Sequence, residues 1–268
     1  MNHCIVYSMY INEDESINES LHFHEFIYSL KTLRQYSDID VKLYISPSNI
    51  LNEIKINFND DKLEIIPFDV SPNSKIENKT YANWLDHKWK TAFLTLEKFK
   101  YDSVLMIDAD TIYNRSPDYL FKKYSDPNKL YAKPDIWDDF LREIEVEDLS
   151  MNDGVVIISK KMLKYKDIFL YVRDKHMLDL AEKYRHKIDN RHAFWLWGIW
   201  WAAAQYGIYE FLKAIGNKPI YIDDDDVNYF GNSTIVHYLH TGAKQALPAE
   251  YWPNKDNTIN PMDKHFII

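Results

Sequence analysis

The stretch Tyr101-Asp102-Ser103-Val104-Leu105-Met106-Ile107-Asp108-Ala109-Asp110-Thr111 is the most informative in the chain. Ser103 to Ile107 is a compact apolar run of a strand's length, and it stops abruptly on two carboxylates. A strand that delivers acids at its C-terminal end places them where open α/β sheets usually bind ligands.

The segments on either side repeat the alternation of strand and helix. Cys4 to Met9 has the length and composition of a buried strand, and Leu21, Phe23, Phe26, Ile27, Leu30 and Leu33 follow near helical spacing. Val41 to Ile45 reads as a second strand closed at Ser46-Pro47, and Leu63 to Phe68 as a third. Between Tyr81 and Phe99, Trp84, Leu85, Trp89, Ala92, Phe93 and Leu96 fall on one helical face, with the polar remainder expected to point outward. Downstream, Met151-Asn152-Asp153-Gly154 reads as a turn that introduces the strand Val155 to Ile158. A helix over Met162 to Arg185, a Trp-rich buried run from Ala193 to Gly207 and a last strand from Ser233 to Tyr238 follow. This βαβ order predicts one α/β domain over residues 1–268, with a mostly parallel mixed sheet flanked by helices.

Composition narrows the chemistry. The chain has 268 residues with 32 basic and 41 acidic side chains, a net charge of −9, and 46% hydrophobic positions. That suits a soluble globular chain, and without a basic block an acidic surface repels phosphate backbones, so nucleic acid is not expected as a partner. Cys4 is the single cysteine and can form no internal disulfide, which fits a reducing compartment. No secretory leader or apolar run of membrane-spanning length is legible, so the expected location is the cytosol and no transmembrane segment is expected. The sequons at Asn18, Asn78, Asn114 and Asn232 then read as coincidence. The six glycines are too scattered to write either G-x-x-x-x-G-K-[ST] or G-x-G-x-x-G. P-loop enzymes and ordinary dinucleotide dehydrogenases are thereby disfavoured.

The Asp-x-Asp spacing alone is uninformative. With 27 Asp in 268 positions, about 2.7 such triplets arise by chance, and four occur, at 38/40, 108/110, 223/225 and 224/226. Context separates them. Asp38 and Asp40 sit in a polar turn, and Asp223 to Asp226 form a charge run whose plain reading is a solvated loop. Asp108 and Asp110 close a strand that should be buried. Two partly desolvated carboxylates repel each other, and a hard divalent cation such as Mg²⁺ or Mn²⁺ removes that cost. Such an ion also holds and neutralises a diphosphate where no glycine loop does.

The same stretch, followed by Asn114, Pro117-Asp118 and Leu120-Phe121, resembles nucleotide-sugar transferases of the GT-A fold, closest in flavour to glycosyltransferase family 8, the glycogenin-like enzymes. The resemblance covers residues 81 to 160 well, the N-terminal strand loosely and the C-terminal third poorly. It implies a GT-A-like sheet with a Rossmann-like nucleotide-binding half, a donor that is a UDP-sugar, Mn²⁺ or Mg²⁺ on Asp108 and Asp110, and Ala109 beside the nucleotide. Lys88-Trp89-Lys90 resembles the family's helix with a donor-facing basic residue, Lys90 in the better register and Lys88 left open by the following turn. Met151-Asn152-Asp153-Gly154 resembles the donor-sugar segment, which makes Asn152 and Asp153 candidates for sugar contact; Asp153 stands where the family has a small residue.

Ile235 to Lys244 resembles the family's H-x-x-G-x-x-K segment with altered spacing. It offers His237 or His240 as the third metal ligand and Gly242 and Lys244 to the diphosphate; an imidazole shifts preference towards Mn²⁺. Ser8 and Tyr10, on the opening strand, occupy the place where such enzymes seat the nucleoside. The implied reaction is sugar transfer to an acceptor hydroxyl on a glycan, protein or small molecule, with retained anomeric configuration if family 8 is the relative. The family's Asp-Gln pair has no counterpart here. A sugar-nucleotide pyrophosphorylase and a non-catalytic nucleotide or glycan binder are the alternatives; the first lacks its glycine-rich loop.

Overall fold

The computed structural model describes residues 2–11, 16–54, 58–69, 79–134, 151–184, 205–229, 231–238 and 248. The strands are β1 His3–Tyr10, β2 Asp40–Ser46, β3 Leu63–Pro67, β4 Ser103–Ile107, β5 Thr111–Tyr113, β6 Leu130–Pro134, β7 Met151–Ser159, β8 Ile220–Tyr221, β9 Val227–Asn228 and β10 Ile235–His237. The helices are α1 Leu21–Arg34, α2 Lys79–Lys98, α3 Leu120–Lys123, α4 Lys166–Tyr184 and α5 over 205–214. No helix among the described residues is long and apolar enough to cross a membrane.

Seven strands form one sheet in the order β3-β2-β1-β4-β7-β6-β8. β1, β2, β3 and β4 are parallel, β7 runs antiparallel to both β4 and β6, and β6 is parallel to β8. The mostly parallel mixed sheet is thus as predicted. Near-continuous apolar runs in β1 and β4 follow from burial on both faces.

Side-chain alternation along each strand feeds two cores. Ile5, Tyr7, Leu105, Ile107, Val155 and Ile157 pack with Phe23, Phe26, Leu30 and Leu33 of α1. On the other face, Cys4, Val6, Val104, Met106, Val156 and Ile158 pack with Trp89, Ala92, Phe93 and Leu96 of α2, Phe169 of α4 and Phe211 of α5. Burial pushes the Cys4 thiol up to about 12, so it is inert as nucleophile or ligand.

Four expectations are corrected. Residues 151–154 belong to strand β7 itself rather than to a turn before it. The polar remainder of α2 is not all outward: His87, Lys88, Thr91 and Thr95 are buried. Thr91 and Thr95 tolerate this because their hydroxyls donate back to the carbonyls of Lys88 and Thr91, at 2.9 and 2.8 Å. Ser233 to Tyr238 supplies only the short β10, which joins β5 and β9 in a separate three-stranded sheet. Finally, the 223–226 run is not simply a solvated loop. Asp226 is buried and accepts hydrogen bonds from Tyr119, from Lys123 at 2.6 Å and from Tyr124 at 2.5 Å, which offsets the cost of burying its charge. The Trp-rich positions 193–204 lie outside the described residues.

His87 gives a pH signature. Its ring lies 5.4 Å from that of Phe68, and neither nitrogen has a hydrogen-bond partner among the described residues. Burial pushes its pKa down to about 4, and the nearby Asp69 carboxylate offsets only part of the fall. Because the folded value lies below the ordinary 6.5, the neutral ring favours folding fully above pH 6.5, and that contribution is lost as pH falls toward 4. Relative to His87→Leu, the wild type should lose about 3 kcal/mol between pH 7 and 4. Urea midpoints of the two proteins at both pH values check this; an equal pH dependence would rule it out.

Candidate functional site

The two acids owe their positions to the way β4 ends. Val104 and Met106 face α2, and continuing that parity turns Asp108 to the same face. The chain then turns through Asp108, Ala109 and Asp110 into β5. Three contacts fix the turn. The Asp108 amide donates to the Gly154 carbonyl at 2.8 Å, the Thr111 hydroxyl donates to the Asp108 carbonyl at 2.9 Å, and the Tyr238 amide donates to the Asp110 carbonyl at 3.1 Å. Thr111 is backed by a buried hydroxyl series, Ser29 at 2.9 Å from it, Tyr7 at 2.8 Å from Ser29, and Tyr113 at 3.0 Å from Tyr7.

The second sheet brings in the histidine. β10 pairs antiparallel with β5, and His237 lies opposite Thr111. Its Nε2 stands 3.2 Å from Asp110 Oδ1 and 3.7 Å from Asp108 Oδ2. One ligand atom from each of Asp108, Asp110 and His237 fits within 4.8 Å of the others. Asp108 and Asp110 retain 17% and 11% side-chain exposure, whereas His237 retains 3%. A partly open mouth over a fixed base suits a bound ion that keeps positions for substrate oxygens.

Gly154 makes room for the imidazole. A Cβ there would lie 2.1 Å from His237 Cε1 and 2.7 Å from both His237 Nδ1 and Asn152 Oδ1. The Asn152 Oδ1 accepts the Gly154 amide at 2.8 Å, and its Nδ2 is buried with no partner among the described residues. A buried amide without a partner among the described residues marks a place where a bound molecule would complete the bonding.

Lys88 and Asp153 complete the cluster. Lys88 Nζ is 2.6 Å from Asp108 Oδ1 and 3.3 Å from Asp153 Oδ1, and both side chains are only 2% exposed. The other oxygen of Asp153 accepts Trp89 Nε1–H at 3.1 Å. Asp153 reaches α2 because β7 bulges: β6 advances one residue from Ala132 to Lys133 while its partner shifts from Val156 to Asn152. The bulge reverses side-chain parity, so Met151 shares a core with Val156 and Ile158 instead of Val155 and Ile157.

The electrostatics follow from burial. Desolvation pushes the Asp108 carboxyl above its usual range; Lys88 pulls it back without cancelling the effect, and the like charge of Asp110 adds to the rise. Burial alone would lower Lys88, but Asp108 and Asp153 outweigh it and hold the ammonium above its ordinary value. His237 is likewise raised, its desolvation overcome by Asp110 and Asp108. Crowded acids held in check by cations are what a divalent ion would relieve, and two carboxylates with one imidazole are a donor set that fits Mn²⁺ or Mg²⁺.

The remaining candidates are placed as follows. Lys90 is half-buried and, two positions beyond Lys88, points about 200° away around the helix. Ser8, on β1, hydrogen-bonds Thr91 of α2. Tyr10 closes β1 opposite Ser46, and Ala109 packs partly buried against the α1-side core. His240, Gly242 and Lys244 lie outside the described residues. Sequence reasoning missed Trp89 as the partner of Asp153, and the Tyr7, Ser29 and Thr111 hydroxyls. Trp89 carried no signal beyond its apolar spacing, and only the bulge reveals its polar edge.

No family model and no curated protein matches the sequence. Solved structures do. The galactosyltransferase LgtC, determined in complex with donor and acceptor sugar analogues, superimposes with a TM-score of 0.53 at 14% identity, over 98% of this chain and 99% of that one. The chain has the GT-A fold. Mouse xyloside xylosyltransferase 1 in its apo form gives a TM-score of 0.50 at 12% identity over 88% of this chain and 97% of that one. The apo glycosyltransferase GlyE of Streptococcus pneumoniae TIGR4 gives 0.50 at 13%, over 89% of this chain and 55% of GlyE, about half of its length. Within the GT-A frame, Asp108 and Asp110 sit at the C-terminal edge of the parallel strands, where β4 meets the antiparallel β7.

Proposed function

We propose that this chain is a metal-dependent glycosyltransferase, working as one domain, that moves a sugar from a UDP-sugar to an acceptor hydroxyl. The observation that carries the reading is the convergence of Asp108, Asp110 and His237 at the end of β4 on a GT-A sheet. Asp108, Asp110 and His237 would hold Mn²⁺ or Mg²⁺. Bound there, the ion supplies neutralisation of the diphosphate leaving group. Lys88 adds a buried positive charge beside it, and the Nδ2 of Asn152, without a partner among the described residues, supports a donor contact to a sugar oxygen. Ser8 and Tyr10 are proposed against the nucleoside. His240 is the alternative third metal ligand, and Gly242, Lys244 and Lys90 are proposed as further diphosphate contacts, on the strength of the resemblance alone. Rate enhancement then comes from positioning and charge stabilisation, with no covalent nucleophile required. Retention of the anomeric configuration and a cytosolic location complete the proposal.

The test is the melting temperature with UDP, GDP, CMP and dTDP, each with and without Mn²⁺. A ligand that binds only the native state stabilises it by RT ln(1 + [L]/Kd), so at a hundred times its Kd the gain is about 2.7 kcal/mol. The expected result is a rise of several degrees with UDP that requires Mn²⁺. No shift with any combination would overturn the reading.

A further inference from the structure

We infer that Lys88 is the site's resident counter-cation, shared between Asp108 and Asp153, and that Asp153 is a positioning residue that takes over the ammonium when Asp108 turns to a divalent ion. This rests on the metal-dependent reading above. Lys88 Nζ lies between the two carboxylates, 2.6 Å from Asp108 and 3.3 Å from Asp153, in a place nearly closed to water. A buried ammonium must keep an anionic partner, because leaving it unpaired costs several kcal/mol.

Asp108 therefore serves two cations. Its Oδ1 is held by Lys88, while its Oδ2 faces His237 in the Asp108, Asp110 and His237 cluster. Asp153 resolves the conflict. The Trp89 N–H holds Oδ2 of Asp153 at 3.1 Å and leaves Oδ1 toward Lys88. Trp89 is itself fixed, with its ring 4.5 Å from that of Phe169 and 6.3 Å from that of Phe93. Both oxygens of Asp153 are thus engaged by the protein, and it acts through Lys88 rather than on a ligand. The β7 bulge exists at the position that aims Asp153 at α2. An apolar or small residue there would remove one of the carboxylates that hold Lys88 and throw the ammonium more fully onto Asp108, where it would compete with the ion.

The probe is Mn²⁺ alone, titrated against the full-length chain with free Mn²⁺ followed by its electron paramagnetic resonance signal. Asp153→Asn should weaken Mn²⁺ binding by about tenfold, because Lys88 stays on Asp108. Lys88→Met should tighten it by about tenfold, because the competitor and its repulsion are gone. In the Lys88→Met background, adding Asp153→Asn should change the affinity by less than about twofold, since the two substitutions act through one contact. A merely structural role for Asp153 would persist in that background. Wild-type binding with Asp153→Asn unchanged overturns the positioning role and leaves the metal reading intact. Should Asp153→Asn fail to fold, Lys88→Met decides: binding no tighter than wild type overturns the proposal. Absence of Mn²⁺ binding by the wild type overturns the proposal and the metal-dependent reading together.

Discussion

Replacing Asp108 with Asn should lower Mn²⁺-dependent cleavage of the UDP-sugar by about 10³-fold, the scale on which removing a principal electrostatic group slows an enzyme. The substitution keeps the volume of the side chain and removes its charge. Its carbonyl oxygen can still accept from Lys88 Nζ, which also retains Asp153 at 3.3 Å, so no ammonium is stranded and the fold should survive. The expected melting temperature lies within a few degrees of wild type, which makes the rate loss a property of the site. Steady-state donor cleavage at saturating Mn²⁺ measures it. Undiminished turnover would remove Asp108 from the machinery, and glycan binding that persists with no turnover in either protein would favour a non-catalytic binder.

Gly154→Ala should damage the protein by a different route. The added methyl would lie 2.1 Å from His237 Cε1 and 2.7 Å from Asn152 Oδ1. Something must move, and the ring has little freedom: it is 3% exposed, its Nε2 faces Asp110 at 3.2 Å, and Tyr229 lies 5.8 Å away. Overpacking of this kind costs about 1–3 kcal/mol, which in a domain of this size lowers the melting temperature by roughly 2–10 °C. If the ring yields instead, His237 leaves the two acids and Mn²⁺ affinity falls by about tenfold or more. Melting curves with and without Mn²⁺ separate the two responses. An Ala variant with wild-type stability and metal affinity would show that Gly154 is not a packing requirement.

These two residues also show how far the sequence could be read. Asp108 stood out because an apolar five-residue run ends on it, a pattern that needs no knowledge of the rest of the chain. Gly154 lay in a segment read as a turn, and its reason for being glycine is a ring 83 residues further on. Register against the family pattern favours Lys90 and leaves Lys88 open. The helical repeat separates them in space, because two residues turn about 200° around α2: Lys88 lies over the sheet beside β4 and Lys90 points elsewhere. The 223–226 run reads as solvated because composition counts charges and not partners; Tyr119, Lys123 and Tyr124, which satisfy Asp226, lie about a hundred residues upstream.

Local pattern was enough for strands β1 to β4 and the body of β7, for helices α1, α2 and α4, for a mostly parallel sheet and for the acids at the end of β4, since hydrophobic periodicity and strand ends are local properties. Tertiary structure decided which histidine of the described chain meets those acids, which lysine balances them and where Asp153 points. Each of these depends on a contact between distant segments: the pairing of β5 with β10, the packing of α2 on the sheet, and a bulge in β7 that exists only relative to β6. A bulge changes the face that a side chain presents without changing its place in the sequence.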